Sequence, residues 1–187
     1  MAGITIVTGS PGAGKTTLSR RAAEADPRGL HLLADVFYTF PAHPVSPVLP
    51  EAHERNGAVI AAVTRAAAAF AARGYEVFVD GIVGPWFLPV MAAELASTGI
   101  PVEYVVLQVG RDEAVRRATS RLHPGAEVVV RHMHAEFQSL GEYASHAFDT
   151  TDMSIDEAFA EFTRRRSTGV FALDPARMQA APRRTSR

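Results

Sequence analysis

The apolar and polar positions alternate between short hydrophobic runs and longer helix-favouring stretches. The first run, residues 4–8 (ITIVT), is β-branched throughout and stops at Gly9, the pattern of a strand buried on both faces. Helix formers follow from Lys15 to Ala25 and are broken by DPRG at 26–29. A second strand is predicted over 30–35 (LHLLAD), with Asp35 at its carboxyl end. Pro41, Pro44, Pro47 and Pro50 then exclude a regular helix or central strand and predict a long loop, of the kind that usually carries function.

Alanine-rich text from Glu51 to Arg73 predicts a helix ended by Gly74. A third strand is expected over 75–81, with Asp80 near its end, then a helix from Pro85 to Ser97 and a fourth strand over 102–109. The helix predicted over 111–121 begins with acidic residues, as the macrodipole favours. After the break LHPG, residues 128–140 resume helical or lid-like structure. A short fifth strand is expected over 146–151, and a last helix over 154–166 opens with an S-x-x-E capping box. Strands alternating with helices imply a parallel sheet covered on both faces. With no internal repeat and no dividing linker, residues 1–174 read as one domain. Residues 175–187, with four arginines and no acid, read as a basic, flexible tail.

Composition narrows the classes of function. The chain has 187 residues, a net charge of -1 and a charged fraction of 21%, which argues against broad electrostatic binding to nucleic acid or anionic lipid. Cysteine is absent, which removes disulfides, thiolate metal sites and cysteine nucleophiles. No apolar run approaches the roughly 20 residues of a membrane span. The apolar start has no basic leader and is cut short by a glycine-rich loop, unlike a signal peptide. A cytoplasmic protein, monomeric or homodimeric, is the expectation.

The chemistry concentrates in the first loop. Gly9, Ser10, Pro11, Gly12, Ala13, Gly14, Lys15 and Thr16 spell G-x-x-x-x-G-K-[ST] between a hydrophobic strand and a helix. The glycines let the backbone fold back so that successive N–H groups point at phosphate oxygens, and the helix adds its positive end. The lysine reaches the β- and γ-phosphates and the Thr16 hydroxyl suits magnesium. Thr17 adds a hydroxyl toward the α-phosphate. Lys15 is the only lysine in the chain, while the other cationic side chains are all arginine. A slim ammonium fits between phosphates where a planar guanidinium does not. The same scarcity leaves no second lysine for the N-K-x-D segment that reads guanine in switch GTPases.

In open α/β sheets ligands gather at the carboxyl ends of strands. Asp35 suits a base that activates an acceptor hydroxyl. Asp80 suits either a magnesium-ordering acid or a second acceptor contact, and the two roles are interchangeable on sequence alone. Arg117 and Arg121 share a helix face and are candidates for stabilising transferring phosphate charge, with Arg131 a weaker one. His123, His132, His134 and His146 lack the spacing and the carboxylate partner of a zinc site. Phe37, Trp86 and Phe87 are candidates for an acceptor pocket.

These residues resemble the small P-loop kinases of the nucleotide-kinase fold, in the style of chloramphenicol phosphotransferase and the gluconate and shikimate kinases. The resemblance is carried by GSPGAGKTT (9–17), LLADVFY (32–38), VFVDGIVGPWF (77–87), RRATSR (116–121) and FDTTDMSIDEA (148–158). It implies a three-layer α/β fold whose five-stranded parallel sheet has the order 2-3-1-4-5, with a small lid. It also implies that Asp35 activates the acceptor, that Arg117 and Arg121 act as lid arginines, and that Thr151 lies in the loop beside adenine. The acceptor stretch around His53, Arg55 and Asn56 matches neither the gluconate nor the shikimate pattern.

The expectation is a magnesium-dependent kinase that uses ATP, with GTP an alternative, and phosphorylates a hydroxyl of a small molecule such as an antibiotic or a sugar-like metabolite. The rivals are a nucleoside or nucleotide kinase, a regulatory ATP-binding module and a polynucleotide end kinase, the last supported only by the basic tail.

Overall fold

The computed structural model describes residues 2–43, 46–47, 52–119 and 126–181. Strands β1 (Gly3–Gly9), β2 (Gly29–Leu33), β3 (Glu76–Asp80), β4 (Val102–Gln108) and β5 (Ala147–Asp149) form one sheet in the order β2-β3-β1-β4-β5. Every strand pair in it is parallel. Around it lie α1 (Lys15–Glu24), α2 (His53–Ala71), α3 (Leu88–Leu95), α4 (Arg111–Thr119), α5 (Ala126–Glu136), α6 (Ile155–Ser167) and α7 (Pro175–Ala180).

The sheet is covered on both faces, which explains the unbroken apolar strands. Ile4 and Ile6 of β1 join Val77 and Val79 of β3 in one core, packed against Ile60 and Val63 of α2 and Leu88 and Met91 of α3. Val7 alternates to the other face, as the strand period of two requires, and meets Leu18 of α1, Ala114 of α4 and Phe162 of α6. The capping box of α6 is present: Ser154 Oγ accepts from the Glu157 N–H at 3.3 Å, and the Ser154 N–H donates to the Glu157 carboxylate at 2.8 Å.

Two sequence expectations are corrected. β2 ends at Leu33, paired with Asp80, and Ala34–Thr39 winds into a 3-10 helix, so Asp35 stands in the first turn of that helix, two residues past the strand, rather than at a strand end. The segment from 175 also does not hang free as far as it is described. Asp174 caps α7 by accepting from the Ala176 N–H at 2.6 Å, Pro175 opens the helix, and Met178 and Ala181 are buried, Met178 in the core beneath α3. Residues 182–187 lie outside the described residues, as do His123 and Arg121.

At the opposite end of the strands from the glycine loop, Arg166 of α6 bridges Glu76 and Glu103, with its Nε 2.6 Å from Glu103. Thr5 donates to the same Glu103 carboxylate at 2.8 Å, and the guanidinium lies over Phe78. Glu76 is buried. Removing the cation leaves that carboxylate buried without its guanidinium. Arg166→Met is therefore expected to lower stability by about 3 kcal/mol, read as a fall in the urea midpoint. A midpoint unchanged from the wild type would show that the cluster contributes nothing.

Candidate active site

Between β1 and α1 the chain turns through Gly9, Gly12 and Gly14, all at positive φ. Two of these positions admit only glycine. A Cβ on Gly9 would lie 2.2 Å from the Leu107 carbonyl oxygen, and one on Gly12 would lie 2.5 Å from that of Ala114. Backbone obstacles of this kind cannot swing aside. Gly12→Ala is expected to push the loop off α4 and to weaken Mg-nucleotide binding by tenfold or more, read by calorimetry. Wild-type affinity in this variant would mean the loop's closeness to α4 is dispensable.

Ala13 donates to the Ser10 carbonyl at 3.2 Å, and the Lys15 ammonium donates to that same carbonyl at 3.1 Å. Lys15 is thus folded back along its own loop. Burial pushes its pKa below the ordinary lysine range, and the carboxylates of Asp80 and Asp35 pull it partly back. Thr8, just before the loop, accepts from the Val83 N–H at 2.8 Å, which ties β1 to the segment leaving β3.

Asp80 closes β3 opposite Val7 of β1 and Leu33 of β2, and it is buried. One of its oxygens is 3.2 Å from Nε2 of His31 on β2. His31 escaped the sequence reading. The signal was a lone ring nitrogen in the otherwise apolar run LHLL, set so that one ring from β2 reaches the carboxylate of the next strand.

Asp35 keeps an exposed face, yet the surrounding protein removes enough solvent to raise its carboxyl above the usual aspartate range; Lys15 opposes this and Asp80 adds to it. One turn on, Tyr38 is pushed up to about 12 by burial and by Asp35, so it stays a neutral phenol. Asp35, Tyr38, Asn56, Trp86 and Phe87 line a cavity of about 70 Å³. Of the other expected acceptor residues, Phe37 and Arg55 line a neighbouring larger space. His53 instead stacks on Phe87, with ring centroids 5.3 Å apart.

On the other side of the loop, Ala13, Thr17, Arg117, Thr150, Met153 and Ile155 line a cavity of about 220 Å³. Arg117 donates to Glu113 at 2.5 Å and to the Thr151 carbonyl at 2.9 Å, which holds it beside this space. Thr151 is engaged internally: its hydroxyl accepts from the Gly110 N–H at 2.7 Å and contacts Asp149. Its neighbour Thr150 faces the loop, donating to the Ala13 carbonyl at 3.3 Å. Arg131 pairs with Glu127 at 2.7 Å on the surface. His134 meets the Val109 carbonyl and His146 that of Tyr104, so both are structural. Among the described residues no three His, Asp or Glu side chains group to hold a metal. Thr16 and Asp80 nonetheless offer hard oxygen donors, and magnesium needs only one or two from the protein.

An open parallel sheet, a glycine loop at the first helix and cavities on both sides of it define the P-loop kinase fold. Among solved structures, the chain is similar to a tunicamycin resistance protein from Deinococcus radiodurans (TM-score 0.69, 15% identity, 94% of this chain and 100% of that one). It is also similar to shikimate kinase from Acinetobacter baumannii, solved with shikimate (TM-score 0.57, 16% identity, 90% and 94%). A third likeness is to a chain of the Pnkp1/Rnl/Hen1 RNA repair complex (TM-score 0.58, 18% identity), of which this chain spans 45% while 74% of its own length is matched. No family model and no curated protein matches the sequence. No described helix is long and apolar enough to cross a membrane.

Proposed function

We propose that the protein is a phosphotransferase that moves the γ-phosphoryl group of ATP to a hydroxyl of a small molecule, with an antibiotic or a sugar-like metabolite as the acceptor. The observation that carries this reading is the position of Lys15. Its ammonium lies within the electrostatic reach of both Asp35 and Asp80, with one cavity on the Thr150 side of the loop and another beside Asp35. In this reading a donor bound in the first cavity and an acceptor bound in the second are brought together at that cation.

In this reading the loop amides and Lys15 hold the triphosphate, and Arg117 flanks the nucleotide. Asp35 takes the proton of the acceptor hydroxyl as its oxygen bonds to the γ-phosphorus and the bridging oxygen leaves with ADP. Thr16 and Asp80 would hold magnesium, which would supply neutralisation of the phosphate charge. Among the described residues lining the two acceptor-side cavities, Arg55 is the one arginine and there is no lysine. This favours a neutral acceptor over a nucleotide. The shikimate and tunicamycin-resistance likenesses support the choice of a hydroxylated small molecule.

The test is coupled ADP release across a panel of alcohols and antibiotics. Release that rises with one acceptor, with a matching phosphorylated product, is the expected result. Background hydrolysis with every alcohol, stimulated only by a partner protein, would replace this reading with the regulatory one.

A further inference from the structure

The cavity at Asp35, about 70 Å³, is too small for a whole drug-sized molecule, whose sites span roughly 300–1,000 Å³. A larger space adjoins it. Tyr38 and Asn56 also line a second concavity of about 640 Å³ between the 3-10 helix and α2. One wall is aromatic: Phe37 and Phe40 have ring centroids 5.1 Å apart, and Phe40 is 67% exposed. The other wall is Ala58, Val59 and Ala62 of α2, where Ala62 lies four and three residues on from the other two, and these small side chains leave the space open. No carboxylate lines it among the described residues, and its polar groups are Tyr38, His43, Arg55 and Asn56. Phe40, open to solvent against a half-buried Phe37 and close to Asp35, is the kind of exposed apolar surface that marks a binding site.

We propose that this concavity is the subsite for an apolar, ring- or chain-bearing appendage of the acceptor, which makes the acceptor class a hydroxyl compound carrying a neutral apolar group rather than a compact polyol. The inference rests on the phosphotransferase reading of the adjoining Asp35 cavity. Adjacency supplies the occupant: Tyr38 and Asn56 line both spaces, so a molecule whose hydroxyl reaches Asp35 has to pass only these two side chains to lay its remainder along the Phe37–Phe40 wall. Charge does not oppose this: no carboxylate lines the space, and Arg55 is its one permanently charged group among the described residues.

The test uses two probes that share a diol and differ in one ring, glycerol and 3-phenoxypropane-1,2-diol. Each is titrated by calorimetry into the 187-residue chain with magnesium and a non-hydrolysable ATP analogue. The phenoxy compound is expected to bind at least about tenfold more tightly. Ala62→Trp, which fills the space, and Val59→Asp, which charges its wall, should each reduce that preference to near unity while the analogue still binds as in the wild type. Equal affinity for the two diols, no binding of the phenoxy compound, or an undiminished preference in both variants overturns the subsite. A concentration-dependent dimer dispersed by Phe40→Ser, with no diol preference, would assign the surface to a second copy of the chain. Failure of the ATP analogue to bind at the outset strikes the phosphotransferase reading instead, so the two failures are separable.

Discussion

Asp35→Asn is expected to bind MgATP with wild-type affinity and to lose phosphoryl transfer by about 10²–10⁴-fold, the range that a positioned general base contributes. The asparagine keeps the shape of the 3-10 turn and its place in the cavity with Tyr38 and Trp86, but it cannot accept a proton. The pH profile supplies a second readout. Asp35 must be ionised to act, and partial burial holds its carboxyl above the usual aspartate range, with Lys15 opposing the shift and Asp80 reinforcing it. Transfer by the wild type should therefore fall as the pH drops through that raised value, giving an acid limb above the ordinary aspartate range. The residual activity of Asp35→Asn should lack this limb. Wild-type turnover in the variant would retire Asp35 as the base and return the role to Asp80.

Lys15→Arg should be nearly as damaging as Lys15→Ala, each lowering the transfer rate by about 10²–10³-fold, the cost of removing one preorganised electrostatic donor. The arginine variant is the more informative. It preserves positive charge in a chain whose other cations are all arginine, so charge alone should rescue it if charge alone mattered. The site argues otherwise. The ammonium reaches the Ser10 carbonyl inside its own loop, in a space where burial already disfavours the charged form and Asp80 and Asp35 partly restore it. A planar guanidinium needs more width and donates in a fixed fork. Single-turnover transfer, measured at saturating MgATP so that weakened binding is separated from weakened chemistry, checks this. A Lys15→Arg protein with wild-type rates would show that the slim ammonium has no special role.

How far the sequence could foresee this site depends on whether local or long-range physics sets each part. The loop was legible because its glycines answer a local demand, positive φ, and because a strand and a helix flank it as its mechanism requires; the close approaches to Leu107 and Ala114 were not. The alternation of elements was equally plain, although the strand order came from the resemblance and not from periodicity. Asp35 was found but misplaced: LHLLAD stays apolar through Ala34, and only the pairing of Leu33 with Asp80 shows where the sheet stops. The folded start of the final segment was announced by Asp174 and Pro175, a cap and a first-turn proline, but the arginines beyond drew the reading toward a free tail. His31 and the Phe37–Phe40 concavity depend on neighbours far away in the chain, and such contacts leave little trace in a single sequence.

Isothermal calorimetry of the wild-type protein with ATP or its non-hydrolysable analogue, in the presence and absence of magnesium, bears most directly on the phosphate-cradling loop. One nucleotide bound per chain, more tightly with magnesium and weakened at least about tenfold by Lys15→Ala, is the predicted result. No heat of binding under any of these conditions, or an affinity indifferent to Lys15, would contradict it.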